Sequence, residues 1–186
     1  MAKKAIVLLA DGFEDVEAVT PIDYLRRAGI EVTAASISES LTVTSKWGGI
    51  KMTANTTLTE LVKHGGSWDA VILPGGMPGS SNLAASKETG SLLKDMAAAG
   101  KLICAICAAP ALVLAPLGLL SGKKFTCYPG MEEKVTNGKW SDDRVAVDGN
   151  IITSRGAGTA GEFAVAIIEE LLDKTAAKKI ADTVLL

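Results

Sequence analysis

Between Ile103 and Leu120 lie eighteen consecutive residues without a charge, and this run narrows what the chain can fold into more than any other. A stretch of that length either crosses a membrane or fills the interior of a layered fold. Pro110, Pro116 and Gly118 interrupt it, much of it is weakly apolar alanine, and no second run accompanies it, so a spanning helix is not expected. The run instead predicts a buried strand, Leu102 to Ile106, turning into a buried helix that reaches Gly118.

The rest of the chain repeats that pattern. Lys4 to Ala10 is a short apolar run closed by Asp11-Gly12, and Phe13 to Ala28 carries helical periodicity up to a Gly29 stop. Glu31 to Ile37 reads as strand. A Thr-rich region with Gly48-Gly49 suggests a small hairpin, Leu58 to Lys63 resumes helix, and Trp68 to Leu73 is again strand. Helix follows at Thr89 to Ala99. Arg144 to Val147 and Ile151 to Ser154 flank an Asp148-Gly149-Asn150 turn, and Glu162 to Leu172 and Thr175 to Leu185 supply the last helices. This alternation predicts one α/β domain over residues 1–186, a doubly wound, mainly parallel sheet sandwiched by helices. In such a sheet the loops at the carboxyl ends of neighbouring strands converge where the winding reverses. Three stand out: Asp11 to Glu17, Pro74 to Gly79, and Cys107 to Pro110.

Charge excludes one class of partner. Nineteen Lys and Arg against 21 Asp and Glu leave a net charge of -2, so no basic field is present to gather nucleic acid. Lys3 and Lys4 before Ala5 to Ala10 imitate the start of a signal peptide, but the apolar run is short and Asp11, Glu14, Asp15 and Glu17 follow it. Neither secretion nor a membrane is expected, and three cysteines then suggest a reducing, cytoplasmic setting.

Ala105-Ile106-Cys107-Ala108-Ala109 places a small residue two positions either side of a cysteine, the spacing of a strand-to-helix nucleophile elbow. The following helix dipole would favour thiolate, lowering a thiol from about 8.5 to roughly 3.5–7.5. The plainer alternative is a buried cysteine acting as a small hydrophobe. Cys104 and Cys107 form a C-x-x-C, yet along a strand their Cα atoms would stand about 10 Å apart, beyond the disulfide limit of about 7 Å. Cys104 is therefore assigned to the core. Cys127 and His64 would complete a nominal zinc set, but no second paired spacing supports it and no metal is expected. His64, the only histidine, lies in a Lys-His-Gly-Gly loop expected to face solvent.

A carboxyl partner for Cys107 is the better candidate. Glu17 lies on the first turns of a helix whose N-terminus faces the same crevice, with Glu14 three residues before it on the same helical face. Beside a developing thiolate such a carboxyl would be pushed towards its protonated form and could shuttle a proton. The alternative is that Asp11, Glu14, Asp15 and Glu17 only complement the dipole of a solvated helix start, which is the reading for Asp15. Leu73-Pro74-Gly75-Gly76-Met77-Pro78-Gly79 exposes backbone amides that could hold an oxyanion, or forms an ordinary turn. Gly118 to Lys123 resembles a phosphate loop only loosely. Gly156-Ala157-Gly158-Thr159-Ala160-Gly161 is a full GxGxxG, but too little chain follows to complete a dinucleotide-binding half, and tight strand-to-helix packing is the expected reason for its glycines.

Taken with Leu9 to Glu17, Leu73-Pro74-Gly75-Gly76, Ala105 to Pro110 and Thr153 to Thr159, the sequence resembles the ThiJ/PfpI superfamily along nearly its whole length, nearest the branch of the parkinsonism-associated protein deglycase. The resemblance implies a flavodoxin-like sandwich, a homodimer, no cofactor, Cys107 as nucleophile and Glu17 as its hydrogen-bonding partner. It also implies an oxyanion held by amides of Gly76 and Ala108, with Glu14, Arg27 and Lys46 near the site or the dimer interface. Many members carry histidine where this chain has Tyr128, which could line the pocket or be a half-buried aromatic beside a turn; proton transfer then falls mainly to Glu17 and peptidase activity is disfavoured. The implied activity is conversion of reactive dicarbonyls such as methylglyoxal to lactate, or repair of glycated proteins. A redox-sensing, chaperone-like protein that uses oxidation of Cys107 is the alternative.

Overall fold

The computed structural model describes residues 2–47 and 49–186. In chain order the elements are β1 (Lys4–Leu9), α1 (Asp15–Arg27), β2 (Glu31–Ser36), β3 (Thr42–Thr44), β4 (Lys51–Thr53), β5 (Thr56–Thr57), α2 (Leu58–Lys63), β6 (Ala70–Leu73), α3 (Gly79–Ala85), α4 (Lys87–Ala98), β7 (Leu102–Ile106), β8 (Lys124–Phe125), β9 (Lys139–Trp140), β10 (Val145–Asp148), β11 (Ile151–Ser154), α5 (Ala160–Leu171) and α6 (Lys174–Val184). Seven strands form one sheet in the order β10-β11-β7-β6-β1-β2-β5. All its pairings are parallel except that between β10 and β11.

Period-two alternation explains the sandwich. Ala5, Val7 and Leu9 of β1, Ala70 and Ile72 of β6, and Leu102, Cys104 and Ile106 of β7 enter one core with Ala18, Ile22 and Leu25 of α1 and Phe163, Ala164 and Ile167 of α5. The intervening Ile6, Leu8, Val71, Leu73, Ile103 and Ala105 enter the other, with Leu58 of α2 and Leu92, Leu93 and Met96 of α4. Each central strand is therefore apolar on both faces, the condition for a parallel sheet buried between helical layers. Among the described residues no helix is long and apolar enough to cross a membrane.

The expected architecture is present, with local differences. The stretch after Cys107 is not one regular helix: Pro110–Leu114 is a π-turn and Ala115–Leu117 a 3-10 turn. Pro116 has no N–H for an α-helical ladder, and Gly118 ends the segment at φ 74°. Helix α3, rich in Gly, Ser and Asn, carries no periodic signal; its Ser80 and Leu83 are buried by tertiary packing. Asp148 belongs to β10 rather than to the following turn. The hairpin expected around Gly48-Gly49 exists as the antiparallel pair β3–β4, although Gly48 itself lies outside the described residues.

Chain order makes β1 and β6 the neighbours between which winding reverses: β2 and β5 continue to one side of β1, β6, β7 and β11 to the other. The loops leaving β1, β6 and β7 meet above this point. The first two bond directly, Glu14 N–H to the Gly75 carbonyl (3.1 Å) and Gly79 N–H to the Gly12 carbonyl (3.2 Å).

Candidate functional site

Cys107 follows β7 at φ 64°, one of two non-glycine residues with positive φ among those described. That conformation is unfavourable for a side chain and is held here from both sides, because Cys107 N–H donates to the Ser154 carbonyl (2.9 Å) and its carbonyl accepts from Tyr128 N–H (2.8 Å). The turn lifts the sulfur out of the sheet into the crevice. Backbone amides of Gly76 and Ala108 donate to the sulfur, and the thiol is hydrogen-bonded to the Glu17 carboxyl.

Glu17 is only 1% exposed. Gly75 N–H donates to its Oε2 at 2.8 Å. Burial, then the charge of Glu14, pushes its carboxyl up from 4.5 to about 7, while the thiol, the Gly75 amide and Lys46 pull the other way. Glu14 does not share the helical face of Glu17 as its spacing suggested. It stands outside the helix as the cap of α1, accepting the Glu17 N–H at 2.8 Å with extended backbone. Nor is Asp15 simply solvated, since its Oδ1 is buried without a hydrogen-bond partner.

The thiol itself departs from expectation. Burial first, and the Glu17 charge second, push Cys107 up to about 12, against the pull of the two amides. The helical segment after the elbow is only a short π-turn, and burial outweighs what its amides supply. Burial thus opposes charge on both members of the pair, and the Glu17 charge opposes thiolate further.

Around this pair is a cleft of about 560 Å³ lined by Glu14, Glu17, Lys46, Gly76, Cys107, Ala108 and Tyr128, all expected from sequence. Gly75 lies behind it: a Cβ there would come 2.5 Å from both Cys107 Cβ and Glu17 Oε2. Arg27 is not brought to the cleft. It sits in the last turn of α1, exposed and paired with Asp23 at 2.7 Å. Cys104 and Cys127 lie in the separate cores on opposite faces of the sheet, and the His64 side chain is 80% exposed.

Sequence reasoning missed Met77, Leu112, Met131 and Lys134, which also line the cleft. Met131 and Lys134 belong to a turn that follows Pro129-Gly130, and no local pattern marks them. The GxGxxG glycines were misread. Gly158 has open space where a Cβ would stand, and Gly161 is crowded only by the Leu186 side chain. Instead the Gly158 carbonyl accepts from the Arg144 guanidinium (2.6 Å), and Gly156 flanks Glu17 Oε1 at Cβ-contact distance (3.8 Å).

The sheet order and the cysteine raised on the β7 elbow place the chain among flavodoxin-like α/β proteins with a cysteine-centred crevice. The sequence pattern of the DJ-1/PfpI family matches residues 3–170, and the chain belongs to that family. It is 43% identical over 183 residues to the Drosophila melanogaster protein dj-1beta, covering 97% of this chain and 96% of that one. The crystal structure of Drosophila DJ-1beta superimposes with a TM-score of 0.94 at 41% identity, covering 100% and 99% of the two chains. The Arabidopsis thaliana protein DJ-1 homolog B is 46% identical over 165 residues, 89% of this chain, which spans only 37% of that longer relative. A Caenorhabditis elegans relative named glutathione-independent glyoxalase DJR-1.2 is 37% identical over 172 residues, covering 91% and 89%.

Proposed function

We propose that this protein is a cofactor-independent cysteine enzyme, acting as one domain over residues 1–186, that converts small reactive dicarbonyls such as methylglyoxal to the hydroxy acid and uses the same covalent step on glycated proteins. The observation that carries the reading is the shared hydrogen bond between the Cys107 thiol and a Glu17 carboxyl that titrates near neutrality, with two amides aimed at the sulfur. A relative named as a glutathione-independent glyoxalase supports it.

Attack begins with Glu17 taking the thiol proton as sulfur adds to the aldehyde carbon. The amides of Gly76 and Ala108, already directed at the sulfur, lie where they can stabilise the oxygen that gains charge. Glu17 returns the proton to that oxygen, giving a hemithioacetal. As carboxylate it then removes the carbon-bound proton to leave an enediolate, the hydroxyl proton passes from the first oxygen to the second, and Glu17 returns its proton to the adjacent carbon, giving the thioester. Water cleaves the thioester, releasing lactate and restoring the thiol. A carboxyl with a pKa near 7 suits a group that must accept and donate in turn. The test is lactate formation from methylglyoxal without glutathione or added metal. Turnover should vanish in Cys107→Ser and Glu17→Gln, and a parent protein that makes no lactate overturns the reading.

A second reading, oxidation of Cys107 as a signal, is favoured by one difference in burial. Cys104 and Cys127 are 0% and 1% exposed, whereas Cys107 opens onto the cleft. Under either reading the protein works as a homodimer in a reducing compartment. Val16 and Val19, exposed three residues apart on α1, and the exposed Trp47 and Ile50 supply apolar surface for a second copy. Light scattering at twice the monomer mass is the expected result.

A further inference from the structure

We propose that the cleft beside Cys107 accepts α-oxoaldehydes that carry an anionic group beyond an apolar body, and that Lys134 reads that group. The proposal rests on the dicarbonyl reading and narrows its substrate class.

In the single chain the cleft measures about 560 Å³, far more than methylglyoxal requires. Its two carboxyl groups gather at one end. Glu14 and Glu17 stand at the sulfur end, where an anionic head would meet like charge, so the reacting end must be the neutral dicarbonyl. Leu112, Met77 and Met131 provide apolar wall, and methionine adapts readily to a flat or branched body.

Two lysines line the same cleft, but they are not equivalent. The Lys46 charge bears on Glu17 and its ammonium lies 4.4 Å from the Trp47 ring centroid, so it is already engaged. Lys134 takes part in none of the ion pairs found among the described residues. Its backbone is held to the elbow by a relay of main-chain bonds. Tyr128 N–H donates to the Cys107 carbonyl (2.8 Å), Met131 N–H to the Tyr128 carbonyl (3.0 Å), and Lys134 N–H to the Met131 carbonyl (3.1 Å). Lys134, without an ion pair among the described residues, thus lines the cleft from a turn whose backbone is bonded back to the elbow.

The test compares kcat/KM for methylglyoxal, phenylglyoxal and phenylglyoxal bearing a para-carboxylate, in the parent and in Lys134→Gln and Lys134→Arg. The carboxylated compound should exceed phenylglyoxal about three- to tenfold in the parent at low salt, mainly through KM, and the preference should shrink at high ionic strength. It should fall to about one in Lys134→Gln and survive in Lys134→Arg. Equal rates for the two aryl compounds in the parent, or a preference that persists in Lys134→Gln, overturn the proposal. If methylglyoxal is turned over while no preference appears, only this inference fails; if none of the three is turned over, the dicarbonyl reading fails with it.

Discussion

Gly75 packs so closely on Cys107 that a Cβ added to the glycine would fall 2.5 Å from the cysteine Cβ. The same atom would fall 2.5 Å from Glu17 Oε2, which the Gly75 amide binds at 2.8 Å. One residue without a side chain thus sets the spacing of the thiol and its carboxyl. Gly75→Ala should push the pair apart, reducing lactate formation at least about tenfold and stability by about 1–3 kcal/mol. Urea unfolding and turnover measured on one preparation check both, and an alanine variant with parental rate and midpoint refutes the close packing.

Glu17 also makes stability depend on pH. Its folded value, about 7, lies above the ordinary 4.5, so between these values the folded state binds more protons than the unfolded one. The resulting contribution is complete below about pH 4.5 and is lost as pH rises through 7, a loss on the order of 3 kcal/mol. Cys107, raised in the folded state as well, adds a loss of the same sign only above the ordinary thiol range. Glu17→Gln should therefore gain on the parent between pH 5 and pH 8 in urea unfolding. Parallel pH profiles for the two proteins would rule out Glu17 as the titrating group.

Thiol reactivity should move against turnover in the same variant. The Glu17 charge raises the Cys107 thiol, and a neutral glutamine removes that effect while the Gly76 and Ala108 amides remain. Iodoacetamide at pH 8 should label Cys107 several-fold faster in Glu17→Gln than in the parent, although lactate formation is lost. In both proteins Cys104 and Cys127 should stay unlabelled, being 0% and 1% exposed. Slower labelling of Cys107 in the variant contradicts the assigned charge effect.

Legibility of the sequence followed how local each determinant was. Lys4 to Ala10 and Leu102 to Ile106 read as strands because their residues are apolar on both faces, and the latter matches β7 residue for residue. The Cys107 elbow was visible because small neighbours are a local requirement. Glu17 was visible as a carboxyl near a helix start, but its pairing with the Gly75 amide, 58 residues away, needs the sheet order first. The elevated Cys107 thiol was hidden for the same reason: local reasoning supplied a helix dipole, whereas tertiary burial and a neighbouring charge prevail. Helix α3 and the turn carrying Met131 and Lys134 were not legible, since packing across the crevice rather than periodicity defines them.

The strained elbow gives a test whose sign is unusual. Glycine in place of alanine ordinarily destabilises by about 0.5–1 kcal/mol, because glycine loses more freedom on folding. At φ 64°, however, alanine keeps the clash of Cβ with the backbone, which costs roughly 1–2 kcal/mol, and glycine does not. Both Cys107→Ala and Cys107→Gly remove the sulfur and its bonds to Glu17, Gly76 and Ala108, so those losses cancel in the comparison. Cys107→Gly should then be the more stable of the two by up to about 1 kcal/mol, with both inactive towards methylglyoxal. An alanine variant that unfolds at higher urea than the glycine variant would show that the elbow carries no strain. The expected order would mean that the chain keeps an unfavourable backbone at residue 107 because that conformation raises the thiol into the crevice beside Glu17.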